Sequence, residues 1–198
     1  MCVATLGIVV VRDLPRLQSH LGCEACRVDE TALVILVPEA EAVVAAHRRR
    51  YDPSAAVGVP AHVTVLYPFR SVIDGTAADV VAGLAADVPA FDVKFATLAR
   101  FPGEVVYLAP DPAEPFLRLM AATFASFPDC PPYGGAIPEA LPHLTVADGV
   151  DATTAAALDI AIGPELPITS RVERLTLIAE DPNGHWIAVR HWPLGRSD

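Results

Sequence analysis

Two short motifs of the sequence carry residues that could perform acid–base chemistry. Each has the form His-x-Thr-Val, one beginning at His62 and the other at His143. If each motif is a β-strand, side chains two positions apart share a face, so each histidine lies beside its threonine, Thr64 or Thr145. An imidazole can exchange a proton near neutral pH, and a threonine hydroxyl can donate to an oxygen that gains negative charge. The pattern predicts a catalytic set of His62, Thr64, His143 and Thr145.

A pair of facing imidazoles is suited to attack on a phosphodiester. One, neutral, would accept a proton from the nucleophile, and the other, protonated, would donate one to the leaving oxygen. A single His-x-Thr in a strand is more often structural, whereas two copies at matched places favour function. No His-x-His, His-Glu-x-x-His or carboxylate cluster accompanies the motifs, and no Gly-x-Ser-x-Gly is present. A metallohydrolase and a serine hydrolase are thus the weaker alternatives, and we expect neither a metal nor a cofactor.

The elements expected around the motifs occur in the same order twice. Apolar β-branched runs predict strands, and longer stretches with polar flanks predict helices. In the first half we expect strands at 32–37, 61–66 and 91–98 and helices at 39–50 and 74–87. In the second half we expect strands at 105–109, 143–146, 171–179 and 186–192, helices at 113–127 and 151–162, a long Pro/Gly loop at 128–142 and a turn at 181–184. This order predicts an α/β (α+β) fold in which two pseudo-symmetric sheet-plus-helix lobes surround a central cleft.

Residues 1–30 do not fit this repeated order. We interpret them as an N-terminal extension or an added edge element, beside a single bilobal domain at 31–198. Cys23 and Cys26 in this segment have the spacing of zinc ligands, but a full site needs a second pair and only Cys2 and Cys130 remain. Reduced thiols without a role are the favoured interpretation, and a regulatory disulfide or a partial metal site is the alternative.

Composition and charge restrict the possible partners. The 198 residues are 53% hydrophobic and carry a net charge of −10, which favours a packed core and disfavours a long nucleic-acid duplex. A few arginines can still hold one phosphate, so we expect a small nucleotide or oligonucleotide as substrate. No stretch reaches the roughly 18 apolar residues of a membrane-spanning helix, and the apolar run at 3–11 lacks the features of a signal peptide. We therefore expect a cytoplasmic monomer that does not bind membranes.

Four further residues are candidates for contact with the substrate. Tyr67 and Phe69 follow the first motif and could stack on a base, although core packing is the commoner role of such side chains. Tyr133, in the Pro/Gly loop before the second motif, could border the cleft as part of a lid. Arg100 is a weaker candidate. The arginines at 48–50 are interpreted as a solvated helix end, although one of them could reach a phosphate.

Longer stretches around the motifs resemble a known family. The sequences Pro-Ala-His-Val-Thr-Val-Leu-Tyr-Pro-Phe at 60–69 and Pro-His-Leu-Thr-Val-Ala-Asp at 142–148 resemble the paired motifs of the 2H phosphoesterase superfamily, in its 2′-5′ RNA ligase and cyclic phosphodiesterase branch. Stretches 101–108 and 131–135 resemble connecting segments of that branch, so the resemblance covers roughly residues 32–194.

This resemblance carries expectations about structure and activity. It implies a bilobal fold with a central cleft and hydrolysis or ligation, without a metal, of 2′,3′-cyclic or 2′-5′ phosphodiester bonds in nucleotides or RNA ends. It also implies that His143 is the general base and His62 the general acid. The alternative is a catalytically inactive module of the same fold that binds a nucleotide or an RNA end. Because both motifs are intact, the sequence favours the enzyme.

Overall fold

Two four-stranded antiparallel sheets form the framework of the protein. The computed structural model describes residues 30–102, 104–137 and 140–196. In chain order the elements are β1 (Thr31–Leu36), α1 (Pro38–Tyr51), α2 (Pro53–Ala56), β2 (His62–Leu66), α3 (Gly75–Ala86), β3 (Phe91–Phe101), β4 (Val105–Asp111), α4 (Glu114–Ser126), β5 (Leu144–Ala147), α5 (Ala152–Ile162), β6 (Ile168–Val172), β7 (Arg174–Glu180) and β8 (Trp186–Pro193). Short 3-10 turns lie at Pro132–Gly135 and Gly163–Glu165.

The two sheets are built alike. The first has the strand order β2-β1-β7-β8 and the second β5-β4-β3-β6, so the two motif strands, β2 and β5, each occupy a sheet edge. These two edge strands contact each other. Helix α1 follows β1 of the first sheet but packs against β5 of the second, and α4 follows β4 of the second sheet but packs against β2 of the first. The protein therefore has a mixed α/β fold with two pseudo-symmetric lobes, as the repeated order of elements predicted.

Strand alternation assigns one face of each sheet to a shared core. In β1, Leu33 and Ile35 belong to the main core, whereas Ala32 and Val34 lie on the other face, in a second and smaller cluster. Strand β6 alternates between buried and exposed positions along its whole length. The main core takes buried side chains from both sheets and from α1, α3, α4 and α5. The lobes are thus held together by one hydrophobic core, which fixes the two motif strands relative to each other.

Helix α1 buries an arginine at its C-terminal end. Its buried stripe has the four-residue spacing of a helix face and consists of Ala40, Val44 and Arg48. The interpretation of 48–50 as a solvated helix end is therefore wrong for Arg48, which is 2% exposed. The physical reason is a buried partner: Arg48 Nη2 lies 2.9 Å from a carboxylate oxygen of Asp52, itself only 5% exposed.

The strand expected at 171–179 is two strands in different sheets. Strand β6 pairs with β3, and β7 pairs with β1 and β8, so the chain crosses between the sheets at Glu173. The buried positions of β6 are even-numbered up to Val172, and the next core position is the odd-numbered Leu175. This change of parity falls at Glu173 and Arg174, two exposed charged residues. The hairpin expected between β7 and β8 is confirmed by their antiparallel pairing, and in its turn Gly184 N–H donates to the Asp181 carbonyl at 2.9 Å.

Some of the sequence expectations concern residues beyond the described ranges. The proposed extension at 1–30, apart from Glu30, lies outside them, as do Cys2, Cys23 and Cys26. Cys130 is a buried thiol. Within the described ranges, no helix has the length and apolar character that crossing a membrane requires.

Candidate active site

Both motifs present their histidine and threonine on the same face; His62 begins β2, and His143 directly precedes β5. In β2, Val63 and Val65 are buried, whereas the alternate residues His62 and Thr64 are half-buried. The second motif has the same pattern, with Leu144 and Val146 buried and His143 and Thr145 half-buried. Each strand is thus anchored from behind by apolar side chains and holds one imidazole and one hydroxyl towards the cleft.

Both motif strands bulge at the same place, one residue after the threonine. In β2, Thr64 pairs with Val34 of β1, but the next pair joins Leu66 to Leu33, which leaves Val65 as the extra residue. In β5, Thr145 pairs with Tyr107 of β4, but the next pair joins Ala147 to Val106, which leaves Val146 as the extra residue. A bulge reverses which face the following side chains occupy.

The bulge in β2 accounts for the position of Tyr67. Simple alternation from Thr64 would turn Tyr67 into the main core. After the bulge it packs instead with the second cluster, which includes Val34, the cross-strand partner of Thr64, and contacts Trp186 edge-on at 6.1 Å between ring centroids. The Tyr67 hydroxyl donates to a carboxylate oxygen of Glu30 at 2.6 Å, and burial raises the pKa of the Tyr67 hydroxyl.

Each catalytic candidate histidine is held by a carbonyl two residues before it. His62 Nδ1 lies 2.8 Å from the carbonyl oxygen of Pro60, and His143 Nδ1 lies 2.7 Å from that of Leu141. Because a carbonyl oxygen only accepts, Nδ1 carries the proton in both rings, and Nε2 is the nitrogen left to exchange protons. When neutral, either ring can accept a proton at Nε2, and when charged, either can donate from it.

Burial keeps both imidazoles in the neutral form at neutral pH in the ligand-free protein. Burial is the main cause that lowers the pKa of His62 from 6.5 to about 4, and the charge of Arg48 acts in the same direction. The hydrogen bond that His62 Nδ1 donates to the Pro60 carbonyl and the charge of Asp52 act against this lowering. A positive charge on His143 would also lower the pKa of His62, so the two rings lie within electrostatic reach of each other. The pKa of His143 is lowered by burial and raised by its hydrogen bond to Leu141. An anion bound between the rings would favour protonation, so the acid in a reaction would gain its proton as the phosphate binds.

Two aromatic rings flank His143. Phe101 and Tyr107 stack on each other with centroids 4.1 Å apart, and both meet the imidazole edge-on, at 5.0 and 5.6 Å. Sequence reasoning did not select either ring, because their contact with His143 depends on the pairing of β3 with β4 and of β4 with β5. They restrict the orientation of the imidazole and add to its burial.

Tyr133 reaches the first motif from the loop before the second. Its hydroxyl forms a hydrogen bond with Thr64, and burial raises the pKa of the Tyr133 hydroxyl. The residue has a left-handed backbone conformation, with φ of 51°. This candidate substrate contact from the sequence therefore lies against Thr64, beside the histidine pair.

The structure does not bring the remaining two candidates to the motifs. Phe69 is 7% exposed in the main core and meets Phe127 edge-on at 5.0 Å between centroids. Arg100 forms an ion pair with Asp159 of α5. It follows Ala99 and precedes Phe101 in β3, so it points to the face opposite to the ring that contacts His143.

Two other features that could mark a site, a cluster of metal ligands and an open depression, do not coincide with the motifs. Among residues 30–102, 104–137 and 140–196, no group of three His, Cys, Asp or Glu side chains is placed to hold a metal ion. An open depression of about 520 Å³ is lined by Lys94, Asp111 and Arg171, among others, and contains no motif residue. We place the candidate active site at the histidine pair, because it has two imidazoles, each beside a threonine hydroxyl, whereas no histidine lines the depression.

Comparison with known proteins agrees with this fold. A family model of the 2′-5′ RNA ligase superfamily matches residues 36–184. The structure is similar to E. coli LigT complexed with 3′-AMP (TM-score 0.53) and in apo form (0.54); each is 18% identical, and the match covers 84% of this chain and 98% of LigT. A crystal structure of a phosphoesterase is similar to the same degree, with a TM-score of 0.53, 17% identity and coverage of 84% of this chain and 98% of that one. At these identities the likeness establishes the fold. A search of curated protein sequences found no match.

Proposed function

Since the chain belongs to the 2′-5′ RNA ligase superfamily, a phosphoesterase or RNA-ligase-like function follows, and we propose that it hydrolyses, or reversibly ligates, 2′,3′-cyclic or 2′-5′ phosphodiester bonds of nucleotides or RNA ends without a metal. The observation that carries the proposal is the matched pair of imidazoles. Both His62 and His143 are fixed through Nδ1 by a backbone carbonyl, and both leave Nε2 to exchange protons.

In hydrolysis of a 2′,3′-cyclic phosphate, the two rings divide the proton transfers. Nε2 of His143 accepts a proton from the attacking water as its oxygen bonds to phosphorus. The bond from phosphorus to one ribose oxygen breaks, and that oxygen takes a proton from Nε2 of His62. The product is a phosphomonoester beside a free hydroxyl, and a proton passes from His143 back to His62 before the next turnover. The assignment of base and acid follows the family resemblance, because the near-symmetric motifs do not distinguish the roles.

The threonines bind the negative charge that grows on the non-bridging phosphate oxygens during this reaction. Thr64 and Thr145 each lie on the same strand face as their histidine. A hydroxyl directed at a non-bridging oxygen is most valuable in the transition state, where that oxygen is most negative. Two such donors, one from each lobe, would hold one phosphate between the two imidazoles.

A small substrate fits the charge of the protein better than a long RNA. The net charge is −10, and Lys94 is the single lysine of the sequence, so the counterion release that drives binding to long nucleic acids has little basis here. The LigT relative was crystallised with 3′-AMP. By analogy we propose that a mononucleotide or a short oligonucleotide end occupies the cleft.

A substrate panel tests the proposal. The purified protein is incubated with EDTA and with 2′,3′-cyclic, 3′,5′-cyclic and 2′-5′-linked nucleotides, and products are identified by chromatography and mass spectrometry. We expect turnover of a 2′,3′-cyclic or 2′-5′ substrate, undiminished by EDTA, and a rate at least ~10²-fold lower for the double variant His62→Ala/His143→Ala. Activity lost in EDTA and restored by one divalent metal would contradict a metal-independent mechanism. Nucleotide binding without any product would instead support the inactive binding module.

A further inference from the structure

We propose that Glu41 is a positioning residue for His62, acting through the peptide that joins Pro60 to Ala61. The inference rests on the proposed function only for its effect on turnover, because the orientation of the ring is a property of the free protein. Its starting point is a contact that the two otherwise matched motifs do not share.

The carbonyl that accepts from His62 belongs to a peptide whose N–H is also hydrogen-bonded, to Glu41. Pro60 carbonyl oxygen contacts His62 Nδ1 at 2.8 Å. The N–H of the same peptide, on Ala61, donates to Glu41 Oε1 at 2.5 Å. In a planar trans peptide the carbonyl and the N–H point in opposite directions, so fixing one fixes the other. A carboxylate acceptor for the N–H also strengthens the carbonyl as an acceptor, because hydrogen bonds in a chain polarise one another.

The carbonyls of the two neighbouring residues, Val59 and Ala61, are also hydrogen-bonded, by a side chain of α1 and by the residue that precedes α1. Arg48 Nη1 donates to the carbonyl oxygen of Val59 at 3.1 Å, and Val37 N–H donates to the carbonyl oxygen of Ala61 at 2.9 Å. Arg48 Nη1 also lies 4.0 Å from Glu41 Oε1. Glu41 thus lies beside a buried cation while it accepts from Ala61.

The second motif cannot contain the same contact. His143 Nδ1 contacts the carbonyl oxygen of Leu141, and the nitrogen of that peptide belongs to Pro142, which has no hydrogen to donate. Ala61 precedes His62 and Pro142 precedes His143. Only Ala61 has a backbone N–H that can donate to a carboxylate. Control of the ring through a carboxylate is therefore specific to His62.

The groups that face His62 define what else could influence it. Besides Pro60, the charges of Arg48, Asp52 and His143 act on this imidazole. Asp52 accepts from Arg48 Nε at 3.0 Å and from Ser54 N–H at 2.9 Å, and it caps α2. These groups remain in a variant that changes Glu41 alone. A changed tautomer of His62 in that variant would therefore be due to the loss of the hydrogen bond from Ala61 N–H to Glu41.

The test measures the tautomer of each histidine directly and turnover separately. Glu41→Met keeps the length of the side chain but removes the acceptor, Glu41→Gln keeps an acceptor oxygen without charge, and Glu39→Met is the matched control. Glu39 also lies in the first turn of α1, but it accepts from Ser170 Oγ at 2.7 Å. Nitrogen NMR of the histidine rings in the wild-type protein should show Nδ1–H for both His62 and His143.

In Glu41→Met we expect His62, but not His143, to become a mixture of tautomers. We expect kcat to fall roughly 10-fold, as it does when a residue that orients a catalytic or metal-binding side chain is replaced. KM should be unchanged. Glu41→Gln should retain the Nδ1–H form and most of kcat, and Glu39→Met should match the wild type. An unchanged His62 tautomer in Glu41→Met, or an equal change in Glu39→Met, would overturn the inference. If the wild type hydrolyses no phosphodiester but the His62 tautomer still depends on Glu41, the proposed function fails and the positioning role stands.

Discussion

The backbone N–H of Tyr133 donates to the carbonyl oxygen of Tyr67 at 2.6 Å. Tyr67 directly follows the first motif strand, and Tyr133 lies in the loop that leads to the second. This bond fastens the loop against β2, where the Tyr133 hydroxyl forms its hydrogen bond with Thr64. A residue from the second half of the chain thereby orients a hydroxyl of the first motif.

Replacing Tyr133 by Phe removes this hydroxyl but retains the ring and the backbone bond. Thr64 then loses a partner that orients it towards the phosphate. We expect kcat/KM for a 2′,3′-cyclic nucleotide to fall about 2- to 10-fold, the equivalent of one neutral hydrogen bond. Steady-state kinetics would measure this, with Tyr51→Phe, at the end of α1, as a control that should retain wild-type values. Equal rates for Tyr133→Phe and the wild type would exclude a role for the hydroxyl.

Replacing either motif threonine by Val tests the two hydroxyls with little change in shape. If Thr64 and Thr145 donate to a charged phosphate oxygen, Thr64→Val and Thr145→Val should each lower kcat roughly 10- to 100-fold, because a hydrogen bond to a charged group is worth ~1.5–3 kcal/mol. The Ser variants at both positions keep the hydroxyl and should recover most of the rate. A Ser variant as slow as its Val counterpart would show that the methyl group, and not the hydroxyl, is what the site requires.

The repeated fold and the orientation of the motifs could be predicted because both depend on local periodicity. His62 and Thr64 alternate with buried valines, and strand parity alone places them on one face. The hairpin of β7 and β8 follows from the turn residues at 181–184. These features need no knowledge of which strand lies beside which.

Features that depend on pairing between distant segments could not be predicted. Phe101 and Tyr107 contact His143 only because of the register of β3, β4 and β5. Tyr67 reaches the face of Thr64 only because β2 bulges at Val65. A bulge leaves no signal in a short apolar run, since each residue in it remains compatible with a regular strand.

The structure differs from the sequence-based expectation at two other places, and at both the sequence contains a weak signal of the observed structure beside a stronger signal of the expected one. Arg48 lies four residues after Val44, on the buried stripe of α1, but three consecutive arginines at a helix end are usually solvated. The break between β6 and β7 coincides with two adjacent charged residues, Glu173 and Arg174, within an otherwise continuous strand pattern. In both cases the decisive fact is a partner from elsewhere in the chain: Asp52 for Arg48, and separate sheets for the two strands.

The lowered pKa of His62 predicts how stability depends on pH. The folded protein binds a proton at His62 only near pH 4, whereas an unfolded histidine does so near ~6.5. Between these values the unfolded state binds more protons, so the free energy of unfolding should fall as the pH falls, by up to ~1.4 kcal/mol per pH unit for this group. The stabilisation of the folded state by neutral His62 is fully present above about pH 6.5 and is lost as the pH falls towards 4.

Urea unfolding at several pH values from 7 to 4.5 would measure this slope for the wild type and for His62→Asn. Carboxylates titrate in the same range but are common to both proteins, so the difference in slope isolates the histidine. We expect the wild type to lose more stability than His62→Asn on acidification. Parallel curves would mean that His62 takes up its proton equally well in the folded and unfolded states.

Changing the leaving group of the substrate tests which histidine is the general acid and which is the general base. His62→Ala and His143→Ala should each lower kcat ~10²- to 10⁴-fold, the usual contribution of a positioned acid or base. The double variant should lose less than the product of the two, because the pair acts as a unit. A substrate whose leaving group is a much weaker base needs little help from an acid, so it should restore the rate of His62→Ala far more than that of His143→Ala. Rescue of His143→Ala instead would exchange the two roles, and wild-type rates in both single variants would show that neither imidazole takes part in the reaction.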